Sequence, residues 1–385
     1  MVRRFGDGIA TGTDFPAALE AAVADALAPL RGTPPDLLAV FVCGIDPAEV
    51  DGVLPGALAT AGAAHSIGCS SAGVVGASQG YEGVSAVSAW AAVLPGLSLR
   101  AFHLEVMKVE TGMAVVGLPE RRPDEAVALL LADAFSFPAG SFLSRTGAAM
   151  PDLSVVGGLA AGMQGPGSTR LVVDGRIFDR GAVGMLLGGD EVTASVRPVV
   201  SQGCRPIGPD MTVTGAADNV LLEIAGTPAM ERLQRLLAEL PAEEQARFHR
   251  SPQIGVALDE YAEEHSQGDF LIRAVLGVDL DKQGISVGET LHVGQTVRFH
   301  VIDGDAAGAD LRATLQAAGV ASGALMFSGA GRGQALFGTS DHEIAMVREL
   351  TGAQAVAGAY TAGEVGPVRG HSQVHGLAAS VLLFS

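Results

Sequence analysis

The sequence is poor in cysteine, aromatic residues and lysine, and each shortage limits what the protein can be. Only three cysteines occur among 385 residues, Cys43, Cys69 and Cys204, and none of them belongs to a C-x-x-C pair. An odd number of widely spaced cysteines fits a reducing compartment. Aromatic residues make up 5% of the chain, with Trp90 as the single tryptophan. We therefore expect a core built mainly from Val, Leu, Ile and Ala.

Positive charge is also scarce. Lys108 and Lys282 are the only lysines, and the formal net charge is −18. Nucleic acids and anionic membrane surfaces require clustered cations, so neither is expected as the main partner. No apolar run reaches the roughly 18 residues of a membrane span, and no apolar segment follows Arg3 and Arg4 as it would in a signal peptide. The sequence predicts a cytoplasmic protein without membrane insertion.

Glycine is abundant, with 52 residues, and one glycine pattern occurs three times. Residues 68–76, 157–165 and 358–366 each read G-x3-A-G-x2-G, and each copy lies between two apolar runs. Recurrence of this kind indicates a supersecondary unit used repeatedly. Glycine is favoured where the backbone needs a positive φ or where another chain approaches closely. We interpret each copy as a buried strand that ends in a bend and returns as a hairpin.

The other segments fit the same plan. Residues 37–43 are continuously apolar and predict a central strand, and Asp46 and Pro47 open a helix that runs to about Ala61. The clearest amphipathic helix is predicted at 228–240. The residue pattern changes near 190–200. We therefore predict an α/β protein with a two-domain mixed-sheet architecture, built from repeated strand–helix–strand–hairpin units, with domains at 1–195 and 196–385.

The first glycine bend carries the candidate nucleophiles Cys69, Ser70 and Ser71. A nucleophile elbow requires G-x-S-x-G, and Ala72 stands where its last glycine would be. No histidine and acid can be paired with these residues from the sequence. We therefore interpret them as part of a structural bend or as hydrogen-bonding groups in a ligand pocket, with covalent catalysis as the alternative.

Four charged residues lie inside or beside apolar, glycine-rich runs: Arg205, Arg273, Arg332 and Glu364. Isolated charges are costly to bury, so such residues are paired, exposed or directed at a ligand. An arginine can hold a carboxylate with two hydrogen bonds and a glutamate can receive an amine, a combination that suits an amino-acid-like ligand. The alternative is that these residues form structural ion pairs or anchor loops.

Two further patterns are incomplete. Residues 329–333 resemble part of a dinucleotide-binding loop but lack the last glycine of G-x-G-x-x-G. His371 and His375 are four residues apart, without a third identifiable metal ligand, and are interpreted as exposed hairpin residues. No metal site is predicted. Non-covalent haem needs only one axial histidine, for which His65 and His300 are the candidates.

Several stretches together resemble the FIST family, a sensory module with an N-terminal and a C-terminal part. The more specific ones are Gln-Gly-Cys-Arg-Pro-Ile-Gly at 202–208 and Gly-Glu-Val-Gly-Pro at 363–367. Further stretches lie at 67–73, 199–201, 270–277, 294–299 and 329–333, in the order of the family. Where family members often carry a cysteine before the Arg-Gly loop, this chain has Phe327 and Ser328, which argues against a thiol-based role there.

The resemblance implies a cytosolic small-ligand sensor in bacterial signalling. Such modules are often coupled to histidine kinases, chemoreceptors or cyclic-dinucleotide enzymes. Amino acids have been suggested as ligands, and some relatives are described as haem-binding nitric oxide sensors.

From these observations we predict a non-catalytic sensory protein for an amino acid or small carboxylate, with no cofactor. The predicted ligand-binding residues are Cys69, Ser70, Ser71, Arg205, Arg273, Arg332 and Glu364. Since no output domain is recognised in the chain, a separate partner is expected to read the signal. The alternatives are a haem-containing gas sensor and a hydrolase or transferase that uses Ser70 or Cys69.

Overall fold

The computed structural model describes residues 2–110, 112–162, 165–262, 264–266 and 268–385. The chain divides into two compact units. The first unit comprises Met1–Ser201 and Leu311–Ser385, and the second comprises Gln202–Asp310. This division differs from the predicted one at 195/196, since the last part of the chain returns to the first unit.

The strands of the described residues fall into three segments. Those of the first segment are β1 (Arg4–Thr11), β2 (Leu37–Cys43), β3 (His65–Ser71), β4 (Gly73–Gly76), β5 (Gln79–Glu82), β6 (Ala86–Val93), β7 (Ser98–Val109), β8 (Gly112–Val116), β9 (Val127–Asp133), β10 (Ser154–Ala160), β11 (Leu171–Val173), β12 (Arg176–Phe178), β13 (Ala182–Gly188) and β14 (Val196–Ser201). Those of the second unit are β15 (Cys204–Ala217), β16 (Val220–Ile224), β17 (Thr227–Pro228), β18 (Gln253–Ala257), β19 (Phe270–Asp279), β20 (Gly284–Val287) and β21 (Thr296–Ile302). Those of the last segment are β22 (Gly323–Gly329), β23 (Ala355–Thr361), β24 (Glu364–Val368), β25 (His371–His375) and β26 (Ala379–Phe384).

The helices of the described residues connect these strands. They are α1 (Phe15–Leu27), α2 (Pro47–Ala61), α3 (Ala139–Ala149), α4 (Val192–Ser195), α5 (Ala229–Glu239), α6 (Ala242–Arg250), α7 (Gly304–Ala318) and α8 (His342–Thr351). None of them has the length and the apolarity that crossing a membrane would require.

The first unit contains three mixed sheets with one common plan. Sheet I has the order β1-β6-β2-β3-β11-β12, sheet II the order β25-β24-β10-β9-β13-β7-β8, and sheet III the order β14-β26-β22-β23-β4-β5. Each has a central parallel pair (β2 with β3, β9 with β10, β22 with β23) joined through a helix. An antiparallel strand flanks each pair on the side of its first member. The predicted mixed α/β fold of repeated units is confirmed.

The first glycine of each block has the same structural reason. Gly68, Gly157 and Gly358 lie opposite Val40, Leu130 and Met326 in the three parallel pairs. A Cβ atom at these glycines would stand 2.0, 1.9 and 1.7 Å from the carbonyl oxygen of the facing residue. Only glycine allows the two strands to approach so closely.

The strand that follows each bend joins a different sheet. The β4–β5 hairpin extends sheet III beside β23, the β24–β25 hairpin extends sheet II beside β10, and the β11–β12 hairpin extends sheet I beside β3. The predicted hairpins are present, but this exchange between sheets was not predicted. Met163 and Gln164 of the second block lie outside the described residues.

Five buried aromatic residues lie in the core between these sheets. Trp90 is fully buried, and its ring centroid lies 5.1 Å from that of Phe384 and 5.6 Å from that of Phe5. Phe41 and Phe327, from equivalent strands of sheets I and III, meet edge to face at 5.8 Å. Aliphatic residues and alanine supply most of the remaining core, as expected from composition.

The second unit is built on one antiparallel sheet that closes on itself through pairing of β15 with β16. Its interior includes Ile254, Val297 and Phe299. Helix α5, predicted from its amphipathic pattern, buries Leu233 and Leu236 against this core.

Candidate functional site

The first unit contains a cleft at the carboxyl ends of β2 and β3, with a volume of about 390 Å³. Its lining consists of Val42, Cys43, Gly44, Ile45, Asp46, Pro47, Ser70, Ser71, Gly162 and Ser168. We call it the β2–β3 cleft. The carboxyl ends of adjacent parallel strands are the usual place for ligands in α/β proteins, and this volume is typical of small-molecule sites.

Local sequence explains why the cleft forms there. Gly68 brings β3 close to β2, so the residues after each strand emerge side by side. Asp46 caps α2, its Oδ1 accepting a hydrogen bond from the Ala48 amide at 2.8 Å, and Pro47 occupies the first helical position. The chain therefore leaves β2 in a short turn and starts the helix beside the end of β3.

The two predicted serines lie in this cleft and differ in their hydrogen bonds. Ser70 Oγ accepts from the amide of Arg170 at 2.8 Å. The buried Ser71 hydroxyl lies 2.8 Å from Gly73 O and 3.3 Å from Val42 O, both of which are acceptors. Ser70 therefore keeps its proton for another partner, whereas the proton of Ser71 is engaged within the protein.

The loop that leads into β11 forms the opposite wall. The Gly162 amide donates to Thr169 Oγ1 at 3.0 Å, and Ser168 Oγ donates to Gly165 O at 2.6 Å. The Arg170 guanidinium binds both carboxylate oxygens of Asp51, at 2.7 and 3.0 Å, and two loop carbonyls. These contacts anchor the loop against α2.

Cys69 faces away from the cleft, into the core between the sheets. Burial raises the pKa of its thiol to about 12, and burial also raises the pKa of Cys43, on the cleft wall, to about 11. Thiols with such pKa values are not thiolate nucleophiles at neutral pH. Within the described residues, the Ser70 hydroxyl hydrogen-bonds to no histidine or carboxylate, so it has no general base there.

Arg332 and Glu364 are brought together at the equivalent strand ends of sheet III. Arg332 is fully buried, and its Nε and Nη2 donate to Glu343 Oε1 at 2.9 and 2.7 Å. Its Nη1 donates to Leu377 O at 2.8 Å, and the Ser328 hydroxyl donates to Glu343 Oε2. The Arg332 cluster, which we define as Ser328, Arg332, Glu343, Thr361 and Glu364, is a closed polar network.

Glu364 is a second buried carboxyl group of this cluster. Its Oε2 accepts from the Ala378 amide at 2.8 Å and its Oε1 from Thr361 Oγ1 at 3.2 Å. Complete burial raises the pKa of Glu364 to about 8, although these hydrogen bonds and the nearby Arg332 oppose the change. The predicted ligand contact is thus an internal carboxyl group.

Arg205 and Arg273 lie in the second unit, each with a protein carboxylate. Arg205 pairs with Glu244 and, at 3.0 Å, with Asp303. Arg273 pairs with Glu289 at 2.8 Å. Both arginines therefore form ion pairs within the protein, which is the alternative to a ligand contact.

The seven predicted residues therefore fall in several places. Ser70 and Ser71 share the β2–β3 cleft, Arg332 and Glu364 share the buried cluster, Cys69 is a core residue, and Arg205 and Arg273 belong to the other unit. Asp46 and Ser168 line the cleft and were not predicted. The only signal for Asp46 was its place before Pro47, which indicates a helix cap.

The two haem candidates, His65 and His300, each have a partner within the protein. His300 is 1% exposed, its Nδ1 contacts Arg298 O, and its ring packs against Phe270. His65 is held by Asp174 at 3.1 Å. His375 was predicted to be exposed, which is wrong, since it is buried with Nε2 near Gly366 O. The described residues contain no group of three metal-binding side chains.

Two family models and several known proteins together match nearly the whole chain. A model of the FIST N domain matches residues 36–227, and a model of the FIST C domain matches residues 229–367. An uncharacterized protein of Mycobacterium tuberculosis strain H37Rv is 36% identical over 386 residues, which is 99% of each chain. An uncharacterized protein of Mycobacterium bovis is 34% identical over 386 residues, which is 99% of this chain and 98% of its own.

Proposed function

Because the chain belongs to the FIST family, whose domains are associated with sensory signal transduction, we propose that it is a cytosolic bacterial sensor of a small polar molecule. The ligand binds in the β2–β3 cleft and leaves it chemically unchanged. The sequence favours an amino acid or a small carboxylate as the ligand.

The observation that carries the proposal is the convergence of polar groups in one cleft of suitable size. The cleft of about 390 Å³ is lined by three serine hydroxyls and the Asp46 carboxylate, together with apolar walls from Val42 and Ile45. A few placed polar groups in a concave, partly apolar site are typical of small-molecule recognition.

A non-catalytic role is supported by what surrounds the candidate nucleophiles. The thiols of Cys43 and Cys69 have raised pKa values, and Ser70 lacks a base among the described residues. Binding without turnover needs neither an activated thiol nor an activated serine. No cofactor is part of the proposal.

The architecture offers a route from binding to a signal. The cleft is formed by β2, β3 and the loop before β11, and that loop connects β10 of sheet II to β11 of sheet I. A ligand that prefers one arrangement of this loop would shift the population of arrangements by its differential affinity. A separate protein, such as a histidine kinase, chemoreceptor or cyclic-dinucleotide enzyme, would read the change.

The proposal is tested by thermal denaturation of the purified protein with a panel of small polar molecules. A ligand present at 100 times its Kd is expected to stabilise the protein by about 2.7 kcal/mol. The variant Ser70→Ala should weaken the effect, and Ser144→Ala, at an exposed position of α3, should not. Recovery of the ligand unchanged supports sensing. Chemical conversion of the ligand, or equal stabilisation of the wild type and Ser70→Ala, would contradict the proposal.

A further inference from the structure

The start of α2, which borders the β2–β3 cleft, has few hydrogen-bond donors to offer a ligand. Helix α2 begins at the cleft, and the amides of its first turn are already engaged: Ala48 N donates to Asp46 Oδ1, while Glu49 N and Val50 N donate to Asp46 O at 3.0 and 3.1 Å. Pro47 has no amide hydrogen. The usual anion-binding groups of a helix N-terminus are therefore unavailable here.

Two further amides of the cleft are engaged as well. Ser70 N donates to Arg170 O at 2.8 Å, and Gly162 N donates to Thr169 Oγ1 at 3.0 Å. The lining among the described residues contains no lysine, arginine or histidine. The neighbouring Arg170 directs its guanidinium to Asp51 and two loop carbonyls, so it is not free to hold a carboxylate.

Acceptors, in contrast, are available. The hydroxyl protons of Ser71 and Ser168 are directed at backbone carbonyls, so these oxygens can only accept from a ligand. Asp46 contributes a carboxylate whose Oδ2 makes no hydrogen bond within the described residues. Ser70 alone retains a hydroxyl proton that can be donated.

We infer that the ligand of this cleft carries a protonated amine and no carboxylate, with a hydroxyl or carbonyl oxygen for Ser70. This inference rests on the proposed function of the cleft. The ammonium group donates to Asp46 and to the serine oxygens, and the ligand oxygen accepts from Ser70. A carboxylate would face Asp46 without a cation to offset the repulsion. The net charge of −18 also favours the approach of cations over anions.

The inference is tested with matched probes that differ in charge. Glucosamine is compared with glucose and glucuronate, and ethanolamine with ethylene glycol and glycolate, by titration calorimetry and thermal denaturation. We expect saturable binding of at least one amine and none of its neutral or acidic counterparts. Asp46→Asn should weaken amine binding about tenfold or more, as expected for a charged hydrogen bond.

The controls separate charge from folding. Asparagine is also a good N-cap, so Asp46→Asn keeps α2 intact. Glu49→Gln removes an exposed acid from the same first turn, outside the cleft lining, and should leave binding unchanged.

The outcomes distinguish the two proposals. If the acid probes bound, and if Ser70→Ala weakened that binding, the amine assignment would be overturned but the cleft would remain the ligand site. The assignment would also be overturned if Asp46→Asn left the affinity for amines unchanged, or if no amine probe bound. If neither Asp46→Asn nor Ser70→Ala changed the affinity of a probe that binds, the cleft would not be the binding site.

Discussion

Glu364 makes the stability of the first unit depend on pH in a predictable direction. Its pKa is raised from 4.5 to about 8 because the carboxyl group is completely buried. The folded protein therefore binds this proton more tightly than the unfolded chain does. The resulting stabilisation is fully present below about pH 4.5 and is lost as the pH rises to about 8.

The size of the effect follows from the same pKa values. A rise from 4.5 to about 8 corresponds to a loss of about 5 kcal/mol between these two pH values. Glu364→Gln replaces the carboxyl by an amide of the same shape that cannot ionise, and Gln can still accept from Ala378 N. The variant is expected to lack this part of the pH dependence and to be more stable than the wild type above pH 8.

Trp90 provides the assay, since it is the single tryptophan and is buried in the core of the first unit. Urea unfolding followed by its fluorescence from pH 4.5 to pH 9 gives the free energy of unfolding at each pH. Glu349→Gln, at an exposed position of α8, serves as the control and should follow the wild type. Parallel curves for Glu364→Gln and the wild type would show that Glu364 does not cause the pH dependence.

Three further predictions follow from other buried groups. Arg332→Met leaves the buried Glu343 carboxylate without its guanidinium and should lower the free energy of unfolding by about 3–5 kcal/mol, measured through the same fluorescence. A change under 1 kcal/mol would contradict the network. Gly358→Ala places a Cβ 1.7 Å from a carbonyl oxygen and should reduce the Tm strongly. Gly56→Ala lies in open space on α2 and should stabilise the protein by about 0.5–1 kcal/mol. Similar effects of the two substitutions would argue against the close strand approach. Cys43 and Cys69 should resist thiol reagents in the native protein at neutral pH and react after unfolding, and rapid native labelling of either would contradict their burial.

The repeated unit could be predicted because its signal lies in the backbone. Gly68, Gly157 and Gly358 each face a carbonyl oxygen that excludes any side chain, so the requirement appears directly in the sequence. The exchange of hairpins between sheets has no comparable local signal. Whether β4 pairs with β3 or with β23 is decided by edges formed from distant parts of the chain.

The candidate site was predicted in part for the same reason. Ser70 and Ser71 follow the glycine of a bend at a strand end, which is a local pattern. The arginines were harder to interpret, because their partners are distant: Arg205 pairs with Asp303, 98 residues away. Asp46 has two roles, as a helix cap and as a cleft wall, and the sequence shows only the first.

A crystal structure of the protein with the most stabilising probe of the panel would show where the ligand binds. We expect density for the molecule in the β2–β3 cleft, within hydrogen-bond distance of Ser70 and Asp46. Density for the probe at another place, with this cleft filled only by water, would contradict it.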